Sequence, residues 1–172
     1  MKNSVSKLAL TSVFTAVSVI LCFVASLFST ISLAICALTG IVTLLMLMNT
    51  GYKYTFLHYI AVSVLVLLLC PNKECAIYYI FLFGIYPIYK LYIERVKNRI
   101  VLWTLKILAA NLLYALVWIL TIRIMGLSEN PLVIETVITF ILYNITFVVF
   151  DICLTRIMFF YILKRFKNNR LR

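Results

Sequence analysis

Apolar stretches long enough to cross a bilayer fill nearly the whole chain, and only short polar breaks divide them. A hydrocarbon core about 30 Å thick takes roughly 20 apolar residues of helix per crossing, and no interval between the stretches is long enough for a water-soluble domain. Six spans follow: Leu8–Phe28, Ile31–Met48, Tyr54–Leu69, Ala76–Ile93, Val101–Ile122 and Leu132–Leu163. Lipid offers backbone amides no hydrogen-bond partners, so the expected fold class is an all-α integral membrane protein. It is expected to be a six-transmembrane-helix bundle forming a single membrane domain over residues 1–172. Only 12% of the residues are charged, about half the share in soluble domains, so there is too little polar surface to face water.

The net charge of +11 invites a nucleic-acid reading, but its placement argues against one. If the N-terminus lies inside, that side receives Lys2, Lys7, Lys53, Arg95, Lys97, Arg99, Lys164, Arg165, Lys167, Arg170 and Arg172, and the other receives only Lys73 and Arg123. Membrane insertion alone concentrates Lys and Arg in cytoplasmic loops, so no nucleic acid is required. The expectation is a multi-pass protein of a bacterial plasma membrane, both termini cytoplasmic, with a basic tail suited to anionic lipid headgroups. The apolar region of the first span exceeds the 7–15 residues of a secretory signal, which reads as an uncleaved first helix.

Short connections make antiparallel neighbours of successive spans. The last span is too long for the membrane: its 32 residues would make roughly 48 Å of helix, so its final turns must tilt, break or project. Gly84 and Pro87 predict a kink in the fourth span, because both weaken backbone support near mid-membrane.

Helix one has two contrasting faces. Thr11, Thr15, Ser18, Cys22, Ser26 and Ser29 recur at helical spacing, a small and weakly polar stripe that lets another helix approach closely inside the bundle. Away from it, near the N-terminal end, lie Ala9, Ser12 and Ala16, a second small-residue patch that either receives a partner protein or packs within the bundle.

Ionisable groups in hydrocarbon are costly and mark partners or pathways. Lys90, Glu94, Lys106, Asp151 and Arg156 all fall in the inner halves of the last three spans and form a candidate intramembrane charge network. Pairing Asp151 with Lys106 or Lys90 would neutralise both charges, and Lys90 lies in register with Tyr79, Phe83 and Tyr86. Asn144, Asp151 and Thr155 share one face of the last span. At the opposite end Tyr79, Arg123 and Glu135 are candidate lining residues for a small-molecule cavity, although Glu135 also suits a helix N-terminus. His58 is the sole histidine, which makes metal binding improbable. Cys70 and Cys75 flank the turn Pro71 to Glu74, where a disulfide is conceivable. There is no phosphate-cradling glycine loop, no carboxylate pair on adjacent turns and no nucleophile elbow, so no enzyme activity, cofactor or metal is expected.

The run Lys7-Leu8-Ala9-Leu10-Thr11-Ser12-Val13-Phe14-Thr15-Ala16, with six spans and the small-residue patch on helix one, resembles the substrate-binding (S) component of an energy-coupling factor transporter. The resemblance implies a six-helix protein that captures a vitamin-like micronutrient from outside. It also implies that alanines spaced four apart on helix one dock onto a transmembrane coupling subunit served by two ATPases. Here the docking pair would be Ser12 and Ala16, with Ala9 a turn earlier; serine stands where the family has its first alanine, and none of the loop motifs of riboflavin, thiamine, biotin or folate binders is present. The segment Phe83-Gly84-Ile85-Tyr86-Pro87-Ile88-Tyr89-Lys90, followed by Ile93-Glu94-Arg95, is also similar to an uncharacterised group of small clostridial-type membrane proteins. The expected function is a substrate-capture subunit of a micronutrient transporter, energised by separate subunits. A membrane scaffold without a cavity and a protein handling lipid phosphates at the inner leaflet are the alternatives.

Overall fold

The computed structural model describes residues 2–28, 31–94, 98–125 and 133–170, with side chains placed over 4–28, 31–94, 98–120 and 137–163. All regular structure among them is helical: α1 (Lys2–Leu27), α2 (Ser32–Thr50), α3 (Tyr52–Leu69), α4 (Lys73–Tyr78), a π turn (Tyr79–Phe83), α5 (Tyr86–Ile93), α6 (Arg99–Met125) and α7 (Val133–Arg170). The segment from α4 to α5 acts as one span, so six helical segments are long and apolar enough to cross a membrane.

Burial divides these spans into a centre and a surround. In their most apolar windows α2 and the fourth span are 50% buried, against 22–28% for the other four. Around this centre α1 and α3 pack on one side, while α7 lies along α2 and α6 reaches the fourth span. The exposed surfaces of the outer helices are mainly Leu, Ile, Val and Phe, the side chains that lipid tails solvate best.

The turns follow local chemistry. Gly51 has φ of 88° between α2 and α3, a left-handed conformation that any side chain would strain. Asn72 caps α4 by accepting from the Glu74 amide at 2.9 Å, which starts the fourth span at Lys73 rather than Ala76. Lys73 donates to the carbonyls of Leu67 and Cys70 at 2.8 and 2.9 Å, closing the C-terminal end of α3.

The fourth span breaks where the sequence predicts a kink. Gly84 N donates to Tyr79 O at 2.7 Å, the i to i+5 bond of a π turn. A Cβ at Gly84 would stand 2.7 Å from that oxygen, so the turn has no room for a side chain. Pro87 then sits in the first turn of α5, where its missing amide hydrogen leaves no helical bond unmade. Gly40 is equally confined, because a Cβ there would meet the Phe150 ring at 2.5 Å and the Phe83 carbonyl at 2.7 Å. Here α2 lies against both the fourth span and α7. The long α7 runs as one helix to Arg170, 38 residues in all, so it does not break.

Candidate functional site

Buried charge is concentrated where α5, α6 and α7 meet. Lys90 and Lys106 are 0% and 3% exposed, and Asp151 is 2% exposed. The Asp151 carboxylate accepts from Tyr86 Oη and Lys90 Nζ, and from Lys106 Nζ at 2.9 and 3.0 Å. Glu94, one helical turn after Lys90, takes the same two lysines at 2.9 and 3.4 Å. Lys90 also donates to the Thr155 hydroxyl at 2.9 Å and the Asp151 carbonyl at 3.2 Å. Two ammonium groups thus face two carboxylates, and the cluster is neutral. Its hydrogen bonds compensate for the loss of water around the charges, the condition under which buried ions are tolerated.

The sequence left Lys90 and Lys106 as alternative partners for Asp151, and the structure uses both. Arg156 does not belong to the network: its side chain is exposed and makes no ion pair among the described residues. Five residues beyond Asp151, it is turned about 140° around α7, whereas Thr155 is turned only about 40°. Tyr86 is a member that the sequence reading missed. The signal available was its position one turn before Lys90 on the same face.

Above the charges stands a column of rings. Tyr86 meets Phe147 edge-on with centroids 5.0 Å apart, and Phe83 meets Phe150 at 5.1 Å. Tyr114 stacks on Tyr143 at 4.5 Å, and the Tyr143 hydroxyl donates to Ala110 O at 3.0 Å. Large side chains, rather than close backbones, therefore connect α6 to α7.

The two faces of α1 separate as their composition suggests. Thr11, Ser18, Cys22 and Ser26 are buried and Thr15 is half-buried; Ser29 lies outside the described residues. Ala9, Ser12 and Ala16 are exposed on the outside of the bundle. Ser12 and Ala16 line a groove of about 590 Å³ whose other wall is Leu57, Ala61 and Leu65 of α3. Its floor includes Thr15, whose hydroxyl donates to Thr11 O at 2.8 Å and lies 3.0 Å from Nδ1 of the fully buried His58. Small residues on a lipid-exposed face leave space that a partner helix can enter closely.

Of the candidate cavity residues, Tyr79 is fully buried. It packs with Cys22, Val62, Val66, Cys70 and Ala76, and its ring centroid is 6.2 Å from that of Tyr59. Its hydroxyl has no hydrogen-bond partner among the described residues. The side chains of Arg123 and Glu135 lie outside the described residues. Cys70 and Cys75 are free thiols rather than a disulfide. They face different parts of the core: Cys70 joins the cluster around Val62 and Tyr79, while Cys75 joins the one around Cys36 and Phe83. No three histidine, cysteine or acidic side chains among the described residues are arranged to hold a metal ion.

No family model, curated protein or solved structure matches the chain.

Proposed function

We propose that this chain is a non-enzymatic membrane subunit that docks a transmembrane helix of a coupling partner through the α1–α3 groove, and that captures a small molecule for transport driven by separate ATPases. The observation that carries the reading is the exposure of Ser12 and Ala16, which line an open groove instead of packing within the bundle. A lipid-facing helix has no need of small residues there, since longer apolar side chains would be equally well solvated by lipid. A helix that must accept a neighbour at short distance does need them. The S-component resemblance supplies the partner class and the vitamin-like cargo.

Co-purification tests the reading. Tagged protein expressed with a coupling subunit and its two ATPases should retain them, and Ala16→Trp or Ala61→Trp should release them while leaving the isolated protein folded. Failure of the unmodified chain to retain the module, under conditions where an S component does, overturns the assignment.

A second reading, a membrane scaffold without cargo, draws on the interior of the α5–α7 side, which charge and rings fill. Mass spectrometry of small molecules carried by the purified protein separates the two. The lipid-phosphate reading is not carried forward at Lys90 and Lys106, because both lysines are already engaged by Glu94 and Asp151 and are closed off from lipid.

A further inference from the structure

The charge network has a consequence for every other cation at its end of the bundle. The chain contains five acidic residues, Glu74, Glu94, Glu129, Glu135 and Asp151. Glu74 belongs to the connection between α3 and α4, and Glu129 and Glu135 to the connection between α6 and α7 and the first turn of α7. Glu74 lies at the end of the bundle opposite Lys7, Lys53 and Arg99, the basic end, and the alternation of the spans along the sequence assigns Glu129 and Glu135 to the same end as Glu74. Among the described residues the carboxylates at the basic end are Glu94 and Asp151, and both are held by Lys90 and Lys106. Among the described residues no further carboxylate is left at that end for the other basic side chains.

One of them stands at the mouth of a groove. Arg99 opens α6, is exposed and forms no ion pair among the described residues. From it a groove of about 770 Å³ runs along α6 past Trp103 and Thr104 to Ile107 and Leu108. Trp103 lies about 6 Å along the axis from Arg99, where indole rings sit at the headgroup level of a bilayer. Leu108 lies about 14 Å from Arg99, close to half of a hydrocarbon core about 30 Å thick. The groove is therefore cationic at the interface and mainly apolar beyond it, with Thr104 along its length and Asn111 at its far end.

We infer that this groove binds one anionic glycerophospholipid, its phosphate against Arg99, its glycerol region beside Trp103 and an acyl chain along Ile107 and Leu108. The site is distinct from the α1–α3 groove, and it holds whether or not the chain docks a coupling subunit. A soluble phosphate would satisfy Arg99 alone; the lipid is favoured because the apolar length of the groove continues from the cation.

Brominated lipids test the inference, since bromine on an acyl chain quenches a nearby indole. The full chain is reconstituted in phosphatidylcholine vesicles containing increasing fractions of brominated phosphatidylglycerol or brominated phosphatidylcholine, and Trp103→Phe identifies the share of emission due to Trp103. Quenching of Trp103 by phosphatidylglycerol should saturate at a fraction about five-fold lower than by phosphatidylcholine, the preference expected of one basic side chain at an anionic surface. Arg99→Gln should abolish the preference, Leu108→Trp in a Trp103→Phe background should lower phosphatidylglycerol retention in neutral detergent by native mass spectrometry, and Lys53→Gln should change neither. Equal midpoints for the two lipids in the unmodified protein overturn the inference, as does a loss of preference in Lys53→Gln equal to that in Arg99→Gln, which would mean diffuse surface attraction. Displacement of the brominated lipid by millimolar inorganic phosphate would assign the site to phosphate and reject the lipid.

Discussion

The two sides of this bundle are held together in different ways. Where α1 meets α2 and α3, the residues that α1 and α2 bury include Thr11, Ser18, Cys22, Ala25, Thr39 and Thr43, all small, and α3 adds His58, Val62 and Val66. The threonine hydroxyls turn back on their own helices, as Thr11 does to Lys7 O at 2.8 Å, Thr39 to Cys36 O at 2.6 Å and Thr43 to Thr39 O at 3.1 Å. Such side chains cost little to bury and allow close backbone approach, so shape fit carries the interface. Where α6 meets α7, contacts run through long side chains: Lys106 to Asp151, Tyr143 to the Ala110 carbonyl, Tyr114 to Tyr143. The first side should tolerate loss of any one hydroxyl; the second should fail when one charged member is removed.

That contrast is broken most directly at Asp151. Asp151→Ala leaves Lys90 and Lys106 to share Glu94 in a low-dielectric interior, and the expected loss is about 3–5 kcal/mol, read as a large drop in thermal midpoint of the purified protein. Replacing Lys106 with Met in the same protein should recover part of the loss, since one unpaired charge is removed. A mutant that melts with the unmodified protein would show that water or lipid headgroups already screen this site.

Gly40 joins the two sides, and Gly40→Ala should cost about 1–3 kcal/mol through overpacking against Phe150 and the Phe83 carbonyl. Phe150→Leu should relieve only part of this in thermal unfolding, because a side chain can yield and the backbone carbonyl cannot.

The aromatic column offers a finer test. Tyr143→Phe loses the bond to Ala110 O and should cost about 0.5–1.5 kcal/mol. Tyr114→Phe should cost nothing measurable in the same assay, because the buried Tyr114 hydroxyl has no hydrogen-bond partner among the described residues. Equal effects would mean that ring stacking, not the hydrogen bond, orders α6 against α7.

The smallest effect is expected on the exposed face of α1. Ala16→Trp should leave the stability of the isolated chain within about 0.5 kcal/mol, the usual range for surface positions. A marked drop in thermal midpoint would place Ala16 inside the packed structure and remove the basis of the docking proposal.

Legibility in the sequence followed the range of the forces involved. The spans, the kink at Gly84 and Pro87 and the buried stripe of α1 could be read directly, since each depends on residues within a few turns of one another. The start of the fourth span was displaced by three residues because Asn72 supplies a cap that hydropathy ignores. Arg156 was grouped with the charges by depth alone, and its angle around α7 places it elsewhere. The hydrogen bond of His58 to Thr15 joins residues 43 positions apart and left no local trace.

By itself the sequence determined that this chain is a bundle of membrane-length helices with most of its basic residues at one end, because transfer of apolar side chains and peptide groups into lipid depends on composition and length alone. It also marked which residues of α1 are small. Only the tertiary structure decided that Lys90 and Lys106 share Asp151 and Glu94, that Tyr86 completes their set, and that Ser12 and Ala16 remain open while Thr11 and Ser18 are covered. The physical reason is that a helix fixes the angle and depth of each side chain, but which neighbour occupies that angle depends on how all six spans pack at once.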